Sequence, residues 1–226
     1  MSMGCPEMAD ADSDHEVRQH EEHRARHWHE RLLVLCDGVF AISITLLAAD
    51  ISVPVVAAGD LTGLWTNLAP QIDAYALSFV VISVYWLAHR RFTAMIRTAD
   101  APVTVLTLVT LGLVALLPAA TRLAHTGRGH LPSMLIYSGL VVTIGASLAV
   151  TWGYASLIAG LVPAHVRLWQ RWFYFALMLL TPPLFLLLMT VVPNAGPGVV
   201  PIGLAALFLI GWRMRLWMIR RFGGLP

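Results

Sequence analysis

The chain contains no lysine: all fifteen of its basic residues are arginine. Acidic residues are scarce beyond the start, with eight of thirteen preceding Arg31 and none following Asp100. Charged residues amount to 12% of the 226 positions, against about a quarter in an ordinary soluble domain. There are two cysteines, Cys5 in a polar stretch and Cys36 in an apolar one. Neither their number nor their placement suits a disulfide scaffold. HExxH and CxxC signatures are missing, so an enzyme is not expected, nor is a bound cofactor or metal. Nothing in the composition calls for a nucleic-acid partner. A basic start followed by a short apolar core is also missing from the first thirty residues, which are polar and acidic. The first hydrophobic segment is therefore expected to stay in the protein as a spanning helix. Strand spans are not expected, because polar and apolar residues do not alternate over ten-residue stretches.

What the chain does hold is apolar sequence in long blocks, 58% of the whole. About 20 residues of helix cross a hydrocarbon core of about 30 Å, and several blocks approach or exceed that. The expectation is an all-α integral membrane protein, with a greasy soluble bundle as the alternative. Six segments are read as spans: 32–54, 71–93, 101–121, 132–159, 169–192 and 198–219. Pro118, Gly145, Pro182 and Pro183 fall inside them, which membrane helices tolerate when neighbours satisfy the freed backbone groups. Trp65, Trp86, Trp152, Trp169, Trp172, Trp212 and Trp217 lie near segment ends, the headgroup depth that amphipathic rings favour.

Arginine sets the orientation. With the N-terminus cytoplasmic, thirteen arginines fall inside, including Arg31, Arg90, Arg91 and Arg167. Only Arg122 and Arg128 fall outside. This positive-inside bias places both termini in the cytoplasm of a multi-pass cell-membrane protein. The domain reading is a polar cytoplasmic tail over 1–30, a membrane domain over 31–221 and a short tail over 222–226. The tail is expected to be flexible to about residue 14 and then to form a short helix at the membrane surface. His23 and His27, four apart, would share one face of that helix. The pair suits a transition-metal site or a solvated, weakly pH-responsive helix.

The first segment opens LLVLCDGVFAISITLLAAD, with Asp37 one or two turns from its cytoplasmic end. A carboxylate at that depth calls for protein or water contact. His89, at the cytoplasmic end of the second segment, is the expected partner, through a charge-assisted hydrogen bond. Trp86 shares a face with His89 at i,i+3 spacing. Further along, Ile42, Thr45, Leu46 and Ala49 recur at i, i+3, i+4 and i+7 and form one stripe. Gly38 and Ala41 extend a small surface for close helix approach. Such a stripe suits a lipid face, a bundle core or, with several copies around an axis, a pore lining. In the last case Ile42 and Leu46 make narrow apolar rings. Thr45 either offers its hydroxyl to a partly dehydrated cation or bonds back to its own helix.

RLLVLCDGVFAISITLLAADI resembles the first-helix signature of the transmembrane protein 175 family, the endosomal and lysosomal potassium channels and their prokaryotic relatives. VVISVYWLAHRRF is similar to the family's Trp-containing second segment, and LVALLPAATRL to its Leu-Pro third. The resemblance covers about residues 31–125. It implies six transmembrane helices per subunit, assembled as a homotetramer around a central pore lined by the first helix. It implies passive conduction of potassium ions across the lipid bilayer. It places the main constriction at Ile42, and the expected pore filter comprises Ile42, Thr45, Leu46 and Ala49. It assigns Arg31, Cys36, Asp37, Trp86 and His89 to a packing network near the cytoplasmic mouth. Neither the family nor this chain has a TVGYG filter. Leu35 and Cys36 stand where the family has Phe and Ser, and Ala49 where a larger apolar residue is common. Cysteine hydrogen-bonds more weakly than serine.

Two other functions are compatible with a greasy helical chain. A small-solute or proton-coupled secondary transporter would need a central site and two access states, and Thr181-Pro182-Pro183 marks either a broken helix or a kink. A non-conducting scaffold would show neither channel currents nor counter-transport.

Overall fold

The computed structural model describes residues 6–55, 57, 59–96, 98–126, 131–163, 166–176, 178–179 and 213. Those residues form α1 (Pro6–Ala49), α2 (Leu61–Thr93), α3 (Ala101–Ala115), α4 (Leu117–Thr126) and α5 (Leu131–Gly153), with a π-helical turn, Tyr154–Ile158, extending α5. Four stretches are long and apolar enough to cross a membrane: His27–Ala49, Leu61–Thr93, Ala101–Thr126 and Pro132–Ile158. The expectation of six spans is thereby corrected to four candidate spans in five α-helices among the described residues. The count of six came from apolar runs. The described part of the expected fifth run, 169–176 and 178–179, is helical. Most of it, and all of the sixth except position 213, lies outside the described residues.

Boundaries also moved, for local reasons. The first helix ends at Ala49, short of Pro54. Val53 precedes that proline and is pushed toward extended backbone. At its other end α1 starts at Pro6 and runs unbroken into the membrane span, in place of a flexible tail with a separate surface helix. α2 begins ten residues before the apolar run does. Its start is set by a cap, since Asp60 Oδ1 accepts from the Gly63 N–H at 2.8 Å, and capping residues specify helix starts independently of hydropathy. Asp100 does the same for α3, accepting from the Val103 N–H at 2.9 Å with Pro102 in the first turn. The third expected span is two helices. Pro118 has no N–H and its ring crowds the carbonyl four residues back, so the helix breaks at Leu116 and resumes as α4.

The helices pack as a cluster: α1 against α2 and α3, and α5 against α3 and α4. A ladder of rings runs through one end of the core. Phe40, His89, Phe92, Trp152 and Tyr174 follow one another at centroid separations of 5.8, 4.9, 6.2 and 5.9 Å. At the same end the Tyr154 hydroxyl donates to Asp100 Oδ2 at 2.8 Å, tying the end of α5 to the cap of α3. At the opposite end Arg122 of α4 lies 3.7 Å from Asp50, just past α1. Gln71 of α2 accepts from the Ser52 N–H at 2.9 Å and donates to the Ser52 carbonyl at 3.1 Å. Mid-core polar groups satisfy one another. The Thr121 hydroxyl is 2.9 Å from the Ser78 oxygen, which is 3.1 Å from the Tyr137 hydroxyl. The Tyr85 hydroxyl donates to the Val141 carbonyl at 2.7 Å. These bonds cross between helices where unpaired polar groups would be costly.

Candidate functional site on the first helix

α1 has two unlike faces within its apolar half. Leu32, Cys36, Phe40, Ser43 and Leu47 recur at helical spacing and are buried, Cys36 and Phe40 to 1% exposure. They key α1 into α2 and α3. The opposite face holds Leu35, Gly38, Ile42, Thr45, Leu46 and Ala49, all exposed. Ile42 is 60% exposed and Leu46 48%. The four residues of the stripe thus share one surface and point away from their own subunit's core. The Thr45 hydroxyl donates to the Ile42 carbonyl at 2.9 Å, which is the back-bonded geometry. Its donor is consumed, so the oxygen faces the stripe surface as an acceptor only.

The packing network is arranged differently from the sequence expectation. Asp37 is held by Trp86: the indole N–H donates to Asp37 Oδ1 at 2.7 Å. The expected Asp37–His89 hydrogen bond is replaced by this one. His89 turns into the core instead, 2% exposed, between Phe40 and Phe92. Its Nε2 has no hydrogen-bond partner among the described residues. The reason is rotational. Trp86 and His89 are about 60° apart around α2, so the two cannot both be aimed at Asp37. The longer indole reaches across to the carboxylate at the helix surface.

Arg90 joins the group, its guanidinium carbon 5.4 Å from the centre of the Trp86 ring. Sequence reasoning missed this residue, although its position one turn past Trp86 was a usable signal. Trp86 therefore offers its edge to an anion and its face to a cation, as its charge distribution favours. Cys36 is buried beside the network and takes part in no disulfide. Arg31 is exposed. In the tail portion of α1, His23 and His27 are exposed, and His27 Nδ1 lies 3.9 Å from Glu30. Among the described residues no three His, Cys, Asp or Glu side chains converge as a metal site would require.

Residues 31–118 match the family described as the endosomal/lysosomal potassium channel TMEM175. A potassium channel of Streptomyces collinus is 33% identical over 129 residues, covering 54% of this chain and 62% of that protein. A potassium channel of Chamaesiphon minutus is 30% identical over 132 residues, 56% of this chain and 65% of that protein. The matched region thus spans just under two thirds of the length of these relatives. A crystal structure of a lysosomal potassium-selective channel TMEM175 homologue, also from Chamaesiphon minutus, superposes with a TM-score of 0.64. That match covers 84% of this chain and 98% of the other at 23% identity, which establishes a common fold.

Proposed function

From the premise that this chain belongs to the TMEM175 potassium-channel family, we propose that it is a potassium-permeable cation channel, a homotetramer whose central pore is lined by α1. Conduction is passive, and Ile42 forms the narrowest ring. The exposed stripe of α1 is the observation that carries this reading. Ile42, Thr45, Leu46 and Ala49 face away from the subunit core, so copies of α1 placed around an axis present them to one another.

Four branched side chains at one level make a narrow, dry ring. A cation must shed much of its shell to pass, and no ring of carbonyls replaces it. Potassium holds its shell less tightly than sodium, so the ring favours potassium modestly. Thr45, one turn outward, supplies acceptor oxygens without competing donors, a chemistry suited to a cation. The Asp37–Trp86–Arg90 group braces α1 against α2 at the level of the inner mouth, and Asp37 serves packing before permeation. Cys36 and His89 belong to the same packed end, and Arg31 stands exposed beside it.

The orientation is N-terminus inside, in the cell membrane. Arg90 and Arg91 at the end of α2, and Arg167 and Arg171 after α5, then share the cytoplasmic side with Arg31. The arginines near the C-terminus support the same side for that end. Purified protein in planar bilayers, with potassium on one side and sodium on the other, tests the whole reading. Discrete current steps reversing toward the potassium potential are expected. Saturating counter-transport without steps would indicate a transporter instead, and no flux at all from folded oligomer would indicate a scaffold.

A further inference from the structure

α1 does not stop at the membrane. It runs as one helix from Pro6 to Ala49, so the face that carries Ile42 continues into the polar half. With 3.6 residues per turn, a position eighteen residues away lies about five full turns along the same line. Position 24 stands in that relation to Ile42. A position eleven residues away lies about three turns along and about 20° off, and that is position 31. Both are arginine, and both are exposed. His27 and Trp28 flank the line, also exposed.

The acidic residues of the tail nearest the membrane lie off this line, and Asp10, about 40° from it, is about 21 Å along the helix beyond Arg24. Glu30 is about 120° from the Ile42 line and sits 3.9 Å from His27. Glu21 is at the edge, about 60° away. At the outer end the stripe closes on Ala49, and the first charge beyond it, Asp50, is paired with Arg122 at 3.7 Å.

We infer that Arg24 and Arg31 form a cationic collar at the cytoplasmic mouth that makes the pore rectify, passing cations into the cell more readily than out of it. The inference rests on the channel reading above, with α1 facing the axis. Arg24 and Arg31 make two rings of four guanidinium groups, and one such ring taken at about 8 Å from the axis, in water and screened at physiological ionic strength, lowers the local cation concentration about threefold. Charges on the far side of each helix are a helix diameter of about 10–12 Å further off, beyond the Debye length of about 8 Å, and count for less. The outer mouth, where the nearest charges are paired, has no matching barrier. Cations arriving from outside are therefore not depleted, and cations arriving from the cytoplasm are.

The test is current recording from the full-length chain in excised patches of known sidedness, in symmetrical potassium chloride. At 0.15 M, inward current should exceed outward current about threefold at equal and opposite voltages, and at 1 M, where the Debye length is about 3 Å, the ratio should fall close to one. R24Q/R31Q should make the current–voltage relation linear at the lower salt, whereas R24K/R31K should keep it rectifying. R24Q alone, placed ahead of the membrane span, should reduce the ratio and remains informative if the double variant does not fold. R26Q, at a position on the opposite side of the helix, should leave the ratio unchanged. A conducting wild type that is linear at 0.15 M overturns the collar and leaves the channel reading intact. So does rectification that survives either 1 M salt or R24Q/R31Q. An absence of potassium current from folded, oligomeric wild type overturns the channel reading itself.

Discussion

Trp86→Phe isolates the contact that replaces the expected Asp37–His89 pair. The substitution keeps an aromatic ring beneath Arg90 and removes the indole N–H that Asp37 accepts at 2.7 Å. Hydrogen bonds to a charged group contribute about 1.5–3 kcal/mol. Asp37 is exposed in the subunit, so water re-solvates much of the carboxylate, and the hydrogen-bond loss should sit near or below the lower end, about 1–1.5 kcal/mol. The smaller ring also buries less area, which a single variant cannot separate from the lost bond. A double-mutant cycle with Asp37→Asn can. The asparagine still accepts through Oδ1 but without charge, so the coupling between the two sites should be about 1 kcal/mol. The equivalent cycle between Asp37 and His89, using His89→Phe, should give about 0.3 kcal/mol or less, because the imidazole packs between Phe40 and Phe92. Equilibrium unfolding in mixed micelles followed by circular dichroism measures both cycles without relying on tryptophan emission. Coupling that is larger for His89 than for Trp86 would refute this assignment of the carboxylate's partner and restore the pairing expected from depth alone.

Ile42→Ala should cost the isolated subunit less than about 1 kcal/mol, since most of the side chain is already exposed, yet should raise conductance and lower potassium-over-sodium preference in bi-ionic recordings. Val39→Ala, on a half-buried face, should alter conduction less; equal behaviour of the two would remove Ile42 from the constriction. Arg171→Gln should loosen the end of α5, because the guanidinium donates to the carbonyls of Ser156 at 2.6 Å, Val166 at 3.2 Å, and Val162 and Pro163 at 3.4 Å; faster amide exchange over 156–163 with an unchanged α2 is the expected pattern. Arg122→Gln should change stability by less than about 1 kcal/mol, as exposed ion pairs contribute little, and a loss several times larger would mean that the Asp50 pair carries the outer end of α1. Reporter fusions at Gly59 and Ala94 should read outside and inside respectively, and a cytoplasmic signal at Gly59 would reverse the proposed orientation.

The arrangement of residues around α1 was legible in the sequence. Helical periodicity is a local property, so the grouping of Ile42, Thr45, Leu46 and Ala49 on one face followed from spacing alone. Membrane character followed from the length of the apolar runs, because about 20 such residues in a helix have few other places to go. Spacing could not say whether the stripe faced inward or outward. That depended on Cys36, Phe40 and Ser43 finding a better-fitting surface on α2 and α3, and so on the rotation of each helix against its neighbours. The same rotation chose Trp86 over His89 as the partner of Asp37 and turned the histidine into a ring stack. Depth along two helices can be estimated from sequence; azimuth between them cannot, because it is settled by the packing of all faces at once. Capping and helix breaks fell between these limits. Asp60 and Pro118 carried the signal in plain view, but the limits of the apolar runs did not follow it; at Asp100 the cap and the apolar run agreed. The start of α2 and the break after α3 emerged only where backbone donors and acceptors had to be paired in three dimensions.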